Sequence, residues 1–585
     1  MISREIKNKI SCTQSRLDII LSLFIAFQVM IWFDKYESIS VLNDEFGYWG
    51  NAAILSGYGW NDLFSRTPYY SLGYSLLLLP IIAVTKNTQI WYQYAIILNV
   101  LMLVSSYFLC RKTLRLIFKK EDSCLLSVIA FITISFSSNI IYAEVAWSET
   151  VLLLLIWLIT WIIAKNSLEY NIYINVCAFL LLFYFLLIHP RSIPIYIYGT
   201  ILLIVQGVIS LEKNKWKLVF LFLYLLISII GFLFYDGIKQ WQLTTLWNNS
   251  SASVLNSANV ADTSLSYFYN ILKNPDLFVT SLIGKIDCAL FSTAFLLFIP
   301  LINTVYCCWN KYRTKEKDLA ELIPYLWAVG ITFGMILLSA LQMLDWQHRK
   351  DMVVYSRYFD FALSPLLAIA IVQFRQRNIL NKWTVIVSSG LFFLSIRYVY
   401  QRIKFANGSF NSICSPMIGA YIDNIPNIKI AFFIIVIIMI SLFSLEIFYN
   451  LNIKRIGYYT VLLGLSIFYI STSYLGAEYV NYARDLFHNK VNPIYQKIIN
   501  QKDILFIENS ELDQYSVNPK YLQYWIPDRS ISVVTIDEFE KLSKEKIEDK
   551  YYVLINSRDL YAHKALIRQG YHDLRAYDSF LRIYE

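Results

Sequence analysis

The chain has 585 residues, of which 57% are hydrophobic and only 16% are charged. A soluble protein of this length needs more charge to cover its surface, so the composition excludes an ordinary soluble fold. The net charge of +9 is modest, and in a membrane protein it indicates Lys and Arg in cytoplasmic loops, not a nucleic-acid-binding surface.

Thirteen apolar runs are long enough to predict membrane-spanning helices. They cover residues 17–33, 89–110, 123–142, 148–164, 171–188, 193–210, 216–235, 287–308, 324–343, 358–373, 383–400, 429–449 and 457–475. A further run, 69–85, is ambiguous. Its Tyr69, Tyr70, Gly73 and Pro80 suit a re-entrant or interfacial helix, although a fourteenth span stays open.

The positions of the basic clusters predict the orientation of the chain in the membrane, because Lys and Arg are enriched in cytoplasmic loops. The clusters are the N-terminus, Arg111–Lys120, Lys213–Lys217, Lys311–Lys317, Arg375–Lys382 and Lys454–Arg455. All of them face the cytoplasm if the run 69–85 does not cross the membrane. The N-terminus is then cytoplasmic, and the long loops and the C-terminus lie on the outer face of the cytoplasmic membrane.

The chain divides into two predicted domains. Residues 1–475 form a transmembrane domain with a first outer loop, 34–88, and a long outer loop, 236–286. Residues 476–585 form a small soluble domain on the outer face. In it strands at 504–508, 530–535 and 551–557 alternate with helices at 537–544 and 560–570, which is typical of an α/β fold with a partly parallel sheet. We expect this domain to dock on the membrane domain or shape its substrate site.

Acidic residues occur in two short outer segments. Asp44 and Glu45 follow the first span, and an amphipathic helix that includes Tyr48 is predicted to come next. Glu144 and Glu149 lie in a turn between two apolar helices. Asp44 at a helix N-cap, or Glu149 in a first helical turn capped by its neighbour, would be a purely structural interpretation. Both interpretations stay open at this point.

Basic residues occur at the ends of predicted membrane spans, where burying a charge costs free energy. His189 and Arg191 occupy the tight turn LLIHPRSIPI, and Arg357 begins a predicted span. An arginine at a span boundary can extend to lipid head groups, but its planar fork also binds phosphate. Together with the acids, these residues predict a shared cavity on the outer face.

One chemistry fits this set of residues. A transferase outside the cell has no nucleotide sugar or ATP, so its donor must arrive in the membrane on a lipid phosphate. Arginines would neutralise the phosphate leaving group, and a carboxylate would deprotonate the acceptor hydroxyl. Asp44 is the best candidate for the base, with Glu45 or Glu149 as its helper or as a metal ligand. A single displacement at the anomeric carbon would invert configuration.

These motifs resemble those of the polytopic glycosyltransferases of the GT-C superfamily, which includes protein O-mannosyltransferases and lipid A aminoarabinose transferases. The family pattern D-E-x-x-Y-x-x-x-A reads here as Asp44, Glu45, Tyr48 and Ala52. The stretch TPYYSLGYSLLLLP at 67–80 is similar to the family's juxtamembrane helix. The remaining matches are Glu149 for the family's second acid, Arg191 for its turn arginine, and Arg357, Tyr358 and Pro365 for its late R-Y-x-x-x-x-x-P segment.

The resemblance implies a polytopic α-helical fold, a polyprenyl-phosphate sugar donor, inverting transfer and, in many members, a divalent cation such as Mg²⁺ or Mn²⁺. The sequence departs from the family in having one Pro before the juxtamembrane helix and Glu at position 149, where Asp is common. The acceptor would be an envelope glycan, lipid or protein. The expected site residues are Asp44 and Glu45 for catalysis; Arg191, Arg357, Arg66 and His189 for the donor phosphate; Glu149 and Glu144 for the acceptor or metal, with Asp44 and Glu149 as the metal pair; and Tyr48, Tyr69 and Tyr358 for substrate.

Two other classes of protein remain open. A polysaccharide polymerase or ligase of the O-antigen type would use a polyprenyl-diphosphate donor, but it usually lacks the acidic pair and the appended domain. A flippase or transporter would be expected to show internal repeats and broken helices near the middle of the bilayer. A structural or sensory role is a further alternative.

Overall fold

The computed structural model describes residues 2–210, 214–247, 273–314, 319–375, 379–408, 410–422, 454–498, 502–509, 517–542, 547, 550–577 and 581–584. The predicted span 429–449 and most of the polar part of the long outer loop lie outside the described residues.

The membrane domain is built from helices. Before residue 250 these are α1 (Ile2–Met30), α2 (Leu42–Leu55), α3 (Asn61–Phe64), α4 (Leu72–Val84), α5 (Thr88–Ile117), α6 (Ser123–Ile134), α7 (Ser137–Ala143), α8 (Glu149–Leu168), α9 (Ile172–Ile188), α10 (Ile193–Ser210) and α11 (Asn214–Thr245). After it come α12 (Pro275–Ser292), α13 (Phe298–Thr314), α14 (Ile323–Gln342), α15 (Asp360–Arg375), α16 (Ile379–Phe405), α17 (Pro416–Ile422) and α18 (Lys454–Ile498).

Eight of the described helices are long and apolar enough to cross a membrane, and α6 and α7 make a ninth if the bent pair counts as one span. The run 123–142 was expected as one span, and in the structure it is divided into these two helices, which bend by 60°. Ser135 and Phe136 separate the two helices, and the side-chain amide of Asn139 donates to the carbonyls of Thr133 and Ile134 at the end of α6. These two hydrogen bonds satisfy carbonyl groups at the end of α6 and stabilise the bend.

The prediction of one continuous span at 287–308 is wrong. The run is divided between α12 and α13, with a break at Thr293–Leu297. Ala294 and Phe295 there have φ angles of 49° and 66°, a left-handed conformation that an α-helix cannot continue. Packing offsets the strain: Phe295 is buried, its ring lies 5.4 Å from that of Phe392, and its amide donates to the carbonyl of Leu290.

The ambiguous run 69–85 forms the 13-residue helix α4. At 1.5 Å per residue it is about 20 Å long, shorter than the roughly 30 Å hydrocarbon core. It packs against α2 and α9, and Gly73 approaches the backbone of Leu187 so closely that a Cβ at this position would overlap it. This length supports the interfacial interpretation of the run.

The C-terminal region contains a five-stranded sheet in the order β2-β1-β3-β5-β4. Strands β1 (Asp503–Glu508), β2 (Ile531–Thr535) and β3 (Tyr551–Asn556) are parallel, as predicted, while β4 (Asp573–Tyr577) and β5 (Leu581–Tyr584) add an antiparallel edge. The helices of this region are α19 (Val517–Trp525), α20 (Ile536–Phe539) and α21 (Leu560–Arg568). Helix α18 continues well past the predicted end of its apolar run at 475 and leads into the sheet.

Candidate active site

The first outer loop brings its two acids to the first turn of α2, where they point in different directions. Asp44 and Glu45 are the third and fourth residues of this helix, and successive helical side chains are about 100° apart. Neither caps the helix in the way that the structural interpretation required, because the N-cap residue is Val41. Asp44 faces Arg357, which together with Arg191 forms the arginine cluster of this site. Glu45 faces the protein core.

Arg357 joins the two acidic segments. Its Nη1 pairs with a carboxylate oxygen of Asp44, and its Nε donates to Oε1 of Glu149 at 2.5 Å. The guanidinium carbon lies 3.8 Å from the ring centre of Trp147, a stacked arrangement that favours arginine over lysine. Arg357 is only 4% exposed, so it does not extend to lipid head groups.

Arg191 is the second arginine of this cluster. It is 1% exposed, and its Nη2 donates to the same Oε1 of Glu149 at 2.6 Å. Its guanidinium also lies over the ring of Tyr358, 4.8 Å from the centre. The Nε and Nη1 groups of Arg191 have no hydrogen-bond partner among the described residues. Because buried N–H groups of a cation are costly to leave unpaired, these two groups are able to bind an anionic ligand.

Tyr70 completes the surroundings of Asp44, since its hydroxyl donates to Oδ1 of Asp44 at 2.5 Å. Burial by itself would raise the pKa of Asp44, but the charge of Arg357 and the hydrogen bonds from Tyr70 and Arg357 outweigh it and hold this pKa below its usual value. Asp44 is therefore ionised at neutral pH. Its side chain is 25% exposed, so a substrate can reach it.

Glu45 is held by the protein on both carboxylate oxygens. Oε2 accepts from the backbone amides of Ser40 and Val41, both at 2.6 Å, and Oε1 accepts from Tyr92 at 2.7 Å and from the amide of Ala146 at 2.9 Å. Burial raises the pKa of Glu45 despite these bonds. These hydrogen bonds occupy both oxygens and connect α2 to the turn that precedes Glu149.

His189 lies beside Arg191, and its Nδ1 accepts a hydrogen bond from the backbone amide of that residue at 3.2 Å. Burial, followed by the charges of Arg191 and Arg357, lowers the pKa of His189 well below its usual value. The ring is therefore neutral near pH 7 and serves the turn as an acceptor.

Two other predicted residues, Tyr48 and Tyr69, are buried. Tyr48 donates to the hydroxyl of Ser148 at 2.9 Å, and Tyr69 donates to Gln242 at 2.9 Å. Arg66 does not join the arginine cluster, because it pairs with Glu508 of the C-terminal sheet. The structure thus brings Asp44, Glu149, Arg191, Arg357 and Tyr358 together and places the other predicted residues around them.

Glu144 is separate from this cluster and lies beside Arg484 of α18. Both oxygens of its fully buried carboxyl lack a hydrogen-bond partner among the described residues, and burial raises its pKa well above the usual value, against the pull of Arg484. Arg484 donates to the carbonyl oxygens of Ser38 and Glu144 and to the hydroxyl of Tyr92, each at 3.1–3.2 Å. The sequence reasoning missed Arg484, although a basic residue in a largely apolar helix was a usable signal.

The expected metal pair, Asp44 and Glu149, has the guanidinium of Arg357 between its two carboxylates. Within the described ranges, no group of three His, Cys, Asp or Glu side chains is arranged to hold a metal ion. The guanidinium of Arg357 pairs with both Asp44 and Glu149, so a cation between these carboxylates would meet a like charge at contact distance. The two acids are neutralised by arginine instead.

No family model matches the chain, and no curated protein matches its sequence. Solved structures do match. The apo structure of ArnT from Cupriavidus metallidurans aligns with a TM-score of 0.53 at 12% identity, covering 98% of each chain. The same protein bound to undecaprenyl phosphate aligns at 0.50 and 12% identity, covering 96% of this chain and 97% of that one.

A third structure, the archaeal oligosaccharyltransferase AglB from Archaeoglobus fulgidus, aligns at 0.41 and 11% identity, covering 93% of this chain and 69% of that one. At such identities the likeness to ArnT establishes the fold. With its apolar helices, the chain is a multi-pass membrane protein. Its fold is that of the ArnT structures, with a small C-terminal sheet domain, and this agrees with the fold that the GT-C resemblance implied.

Proposed function

We propose that the protein is an inverting glycosyltransferase of the cytoplasmic membrane. It transfers a sugar from a polyprenyl-phosphate donor to a hydroxyl group of an envelope glycan, lipid or protein on the outer face. The donor phosphate binds at Arg191 and Arg357, and Asp44 is the general base.

The observation that carries this proposal is the arrangement of the two arginines. Both are buried, both pair with Glu149, and Arg191 keeps two N–H groups unpaired among the described residues. Glu149 and Asp44 balance the charge of the two guanidinium groups. The unpaired N–H groups of Arg191, which are costly to bury without an acceptor, are therefore what favours a phosphate here. One solved structure with this fold holds undecaprenyl phosphate, which supports a lipid-phosphate ligand here.

The reaction proceeds as one displacement. The acceptor oxygen forms a bond to the anomeric carbon from the face opposite the phosphate. The bond from that carbon to the phosphate oxygen breaks, and its electron pair leaves with the phosphate, whose charge the arginines neutralise. The hydroxyl proton passes to Asp44. Products are the glycosylated acceptor, with inverted anomeric configuration, and polyprenyl phosphate.

Donor binding also prepares the base. In the described structure Arg357 lowers the pKa of Asp44, which keeps the carboxylate ionised but weakly basic. When a phosphate takes up the donor groups of Arg357, Asp44 loses its strongest partner and its pKa rises. Proton abstraction is thereby favoured when donor is present. Glu149 keeps both arginines in place, while Glu45 fastens α2 to the neighbouring turn.

The test is transfer of a labelled sugar by the purified protein in lipid vesicles. The proposal predicts transfer from a polyprenyl-monophosphate sugar, with inversion at the anomeric carbon. Transfer only from the polyprenyl-diphosphate form would identify an O-antigen-type polymerase or ligase. Movement of the intact lipid-linked sugar across the vesicle membrane, without transfer, would identify a flippase.

A further inference from the structure

The C-terminal domain packs directly onto the helix that carries Asp44. Its helix α19 contacts α2, with the ring of Tyr524 5.8 Å from that of Trp49. The hydroxyl of Tyr524 donates to the carbonyl of Thr88 at 2.9 Å, and the indole N–H of Trp60 donates to the carbonyl of Pro527 at 3.0 Å. These hydrogen bonds are formed by buried side chains, so the two domains are in close contact at α2 and α19.

One charged side chain of the domain is enclosed at this contact. Lys520 of α19 is fully buried, and its Nζ donates to Oδ1 of Asn43 at 3.0 Å. Asn43 is the only hydrogen-bond acceptor that the described part of the chain gives to this ammonium group. A buried ammonium group with so few acceptors is expensive, and the contact is therefore poorly explained by stability alone.

The partner of Lys520 is the residue immediately before the proposed base. Asn43, Asp44 and Glu45 are consecutive in the first turn of α2, so their side chains point in three directions about 100° apart. Asn43 is held by the C-terminal domain, Asp44 by Arg357 and Tyr70, and Glu45 by the membrane domain. Rotation or displacement of this turn moves all three side chains together.

We propose that Lys520 is a positioning residue, which fixes the first turn of α2 through Asn43 and so couples docking of the C-terminal domain to the orientation of Asp44. This inference rests on the proposed function, since it assumes that Asp44 is the base. It gives the C-terminal domain a part in catalysis without contact between that domain and the reacting atoms.

The charged groups that face Lys520 are Glu508 of β1 and Arg66 of the first outer loop. Burial, with a smaller contribution from Arg66 and an opposing one from Glu508, lowers the pKa of Lys520 to about 7. A hydrogen bond from a charged donor is roughly twice as strong as one from a neutral donor. The contact with Asn43 therefore weakens as pH rises through neutrality, and the rate of transfer falls with it.

The experiment compares Lys520→Met, Lys520→Arg and Asn43→Ala, with Lys564→Met as a control at an exposed lysine of the same domain. A misplaced catalytic group costs on the order of 100-fold in rate. We expect Lys520→Met to lower kcat about 10- to 100-fold with KM for the lipid donor within about twofold, since the arginines are untouched. Asn43→Ala should have a similar effect, and the double variant should be no worse than either single one.

Lys520→Arg distinguishes positioning from a merely structural role. It should recover much of kcat and remove the decrease of the rate near pH 7, because arginine stays charged. A wild-type kcat in Lys520→Met, a loss equal to that of Lys564→Met, or an unchanged pH profile in Lys520→Arg would overturn the inference. If Lys520→Met does not fold, the comparison of Asn43→Ala with Lys520→Arg decides by the same criteria.

The same assay separates this inference from the proposed function. If Asp44→Asn abolishes transfer while the Lys520 variants behave as wild type, only the positioning role is wrong. If Asp44→Asn transfers sugar at the wild-type rate, Asp44 is not the base, and both proposals fail.

Discussion

Replacement of Arg357 by lysine tests whether the guanidinium fork, and not positive charge alone, organises the site. The wild-type side chain uses two separate nitrogens, Nη1 for Asp44 and Nε for Glu149, and its flat face covers Trp147 at 3.8 Å. A lysine ammonium is a point charge on a flexible stem, so it cannot reproduce both contacts and the stacking.

The magnitude follows from one lost contact. A hydrogen bond to a charged group contributes about 1.5–3 kcal/mol, and each 1.4 kcal/mol corresponds to about a tenfold change in rate. We therefore expect Arg357→Lys to lower kcat/KM by about 10- to 100-fold. Arg357→Ala is less informative, because an uncompensated buried partner costs about 3–5 kcal/mol of stability.

The assay is transfer from a polyprenyl-phosphate sugar, with thermal unfolding measured on the same preparations. Arg375→Lys is a matched control, since Arg375 pairs with Glu121 and lies 5.8 Å from the ring centre of Tyr458 at the opposite end of α15. Full activity of Arg357→Lys, or an equal loss in both variants, would refute the reasoning.

Three further predictions concern the neighbours of Asp44. Tyr70→Phe removes a hydrogen bond to the ionised carboxylate, so the pKa of Asp44 should rise and the acid limb of the pH–rate profile should move to higher pH; an unmoved limb contradicts this. A chelator should leave transfer within about twofold, because Arg357 occupies the space between the two acids; complete loss, restored by Mg²⁺ or Mn²⁺, would show that a metal is needed. Glu45→Gln places an amide N–H opposite groups that donate to this side chain, and each hydrogen bond lost in this way costs about 1–3 kcal/mol of stability. The variant should therefore have a lower melting temperature, measured by fluorescence. An unchanged melting temperature would show that Glu45 does not hold α2 in place.

The sequence was sufficient for the features that depend on local pattern. Apolar runs of membrane length, the acids after the first span, and the alternation of strand and helix near the C-terminus all follow from composition and periodicity. The resemblance to GT-C enzymes was confirmed at the level of the fold. The roles of individual site residues stay predictions.

The interruption between α12 and α13 and some of the smaller elements could not be predicted in this way. Hydropathy measures the polarity of side chains, whereas the interruption at Ala294 and Phe295 is a property of φ angles that tertiary packing imposes. The helix Val517–Trp525 was missed because it has only nine residues and contains Pro519, and the antiparallel edge of the sheet was missed because its strands are short.

The difference between Asp44 and Glu45 was also hidden in the sequence. Two adjacent carboxylates look equivalent in a motif, yet the turn of a helix aims one at the arginines and the other at backbone amides. The contact of Lys520 with Asn43 joins residues 477 positions apart. No local sequence pattern predicts a contact between residues so far apart in the chain. Long-range hydrogen bonds decide which member of an acidic pair is available for chemistry.

The most direct test of the account is a single-turnover measurement on Asp44→Asn with a bound polyprenyl-phosphate sugar, beside Asp62→Asn, an exposed acid of the same outer loop. Because the arginines remain, the variant should bind the lipid phosphate with an affinity close to that of the wild type. Loss of a general base should slow transfer about 100- to 10,000-fold, and Asp62→Asn should behave as wild type. Transfer by Asp44→Asn at the wild-type rate would contradict the account.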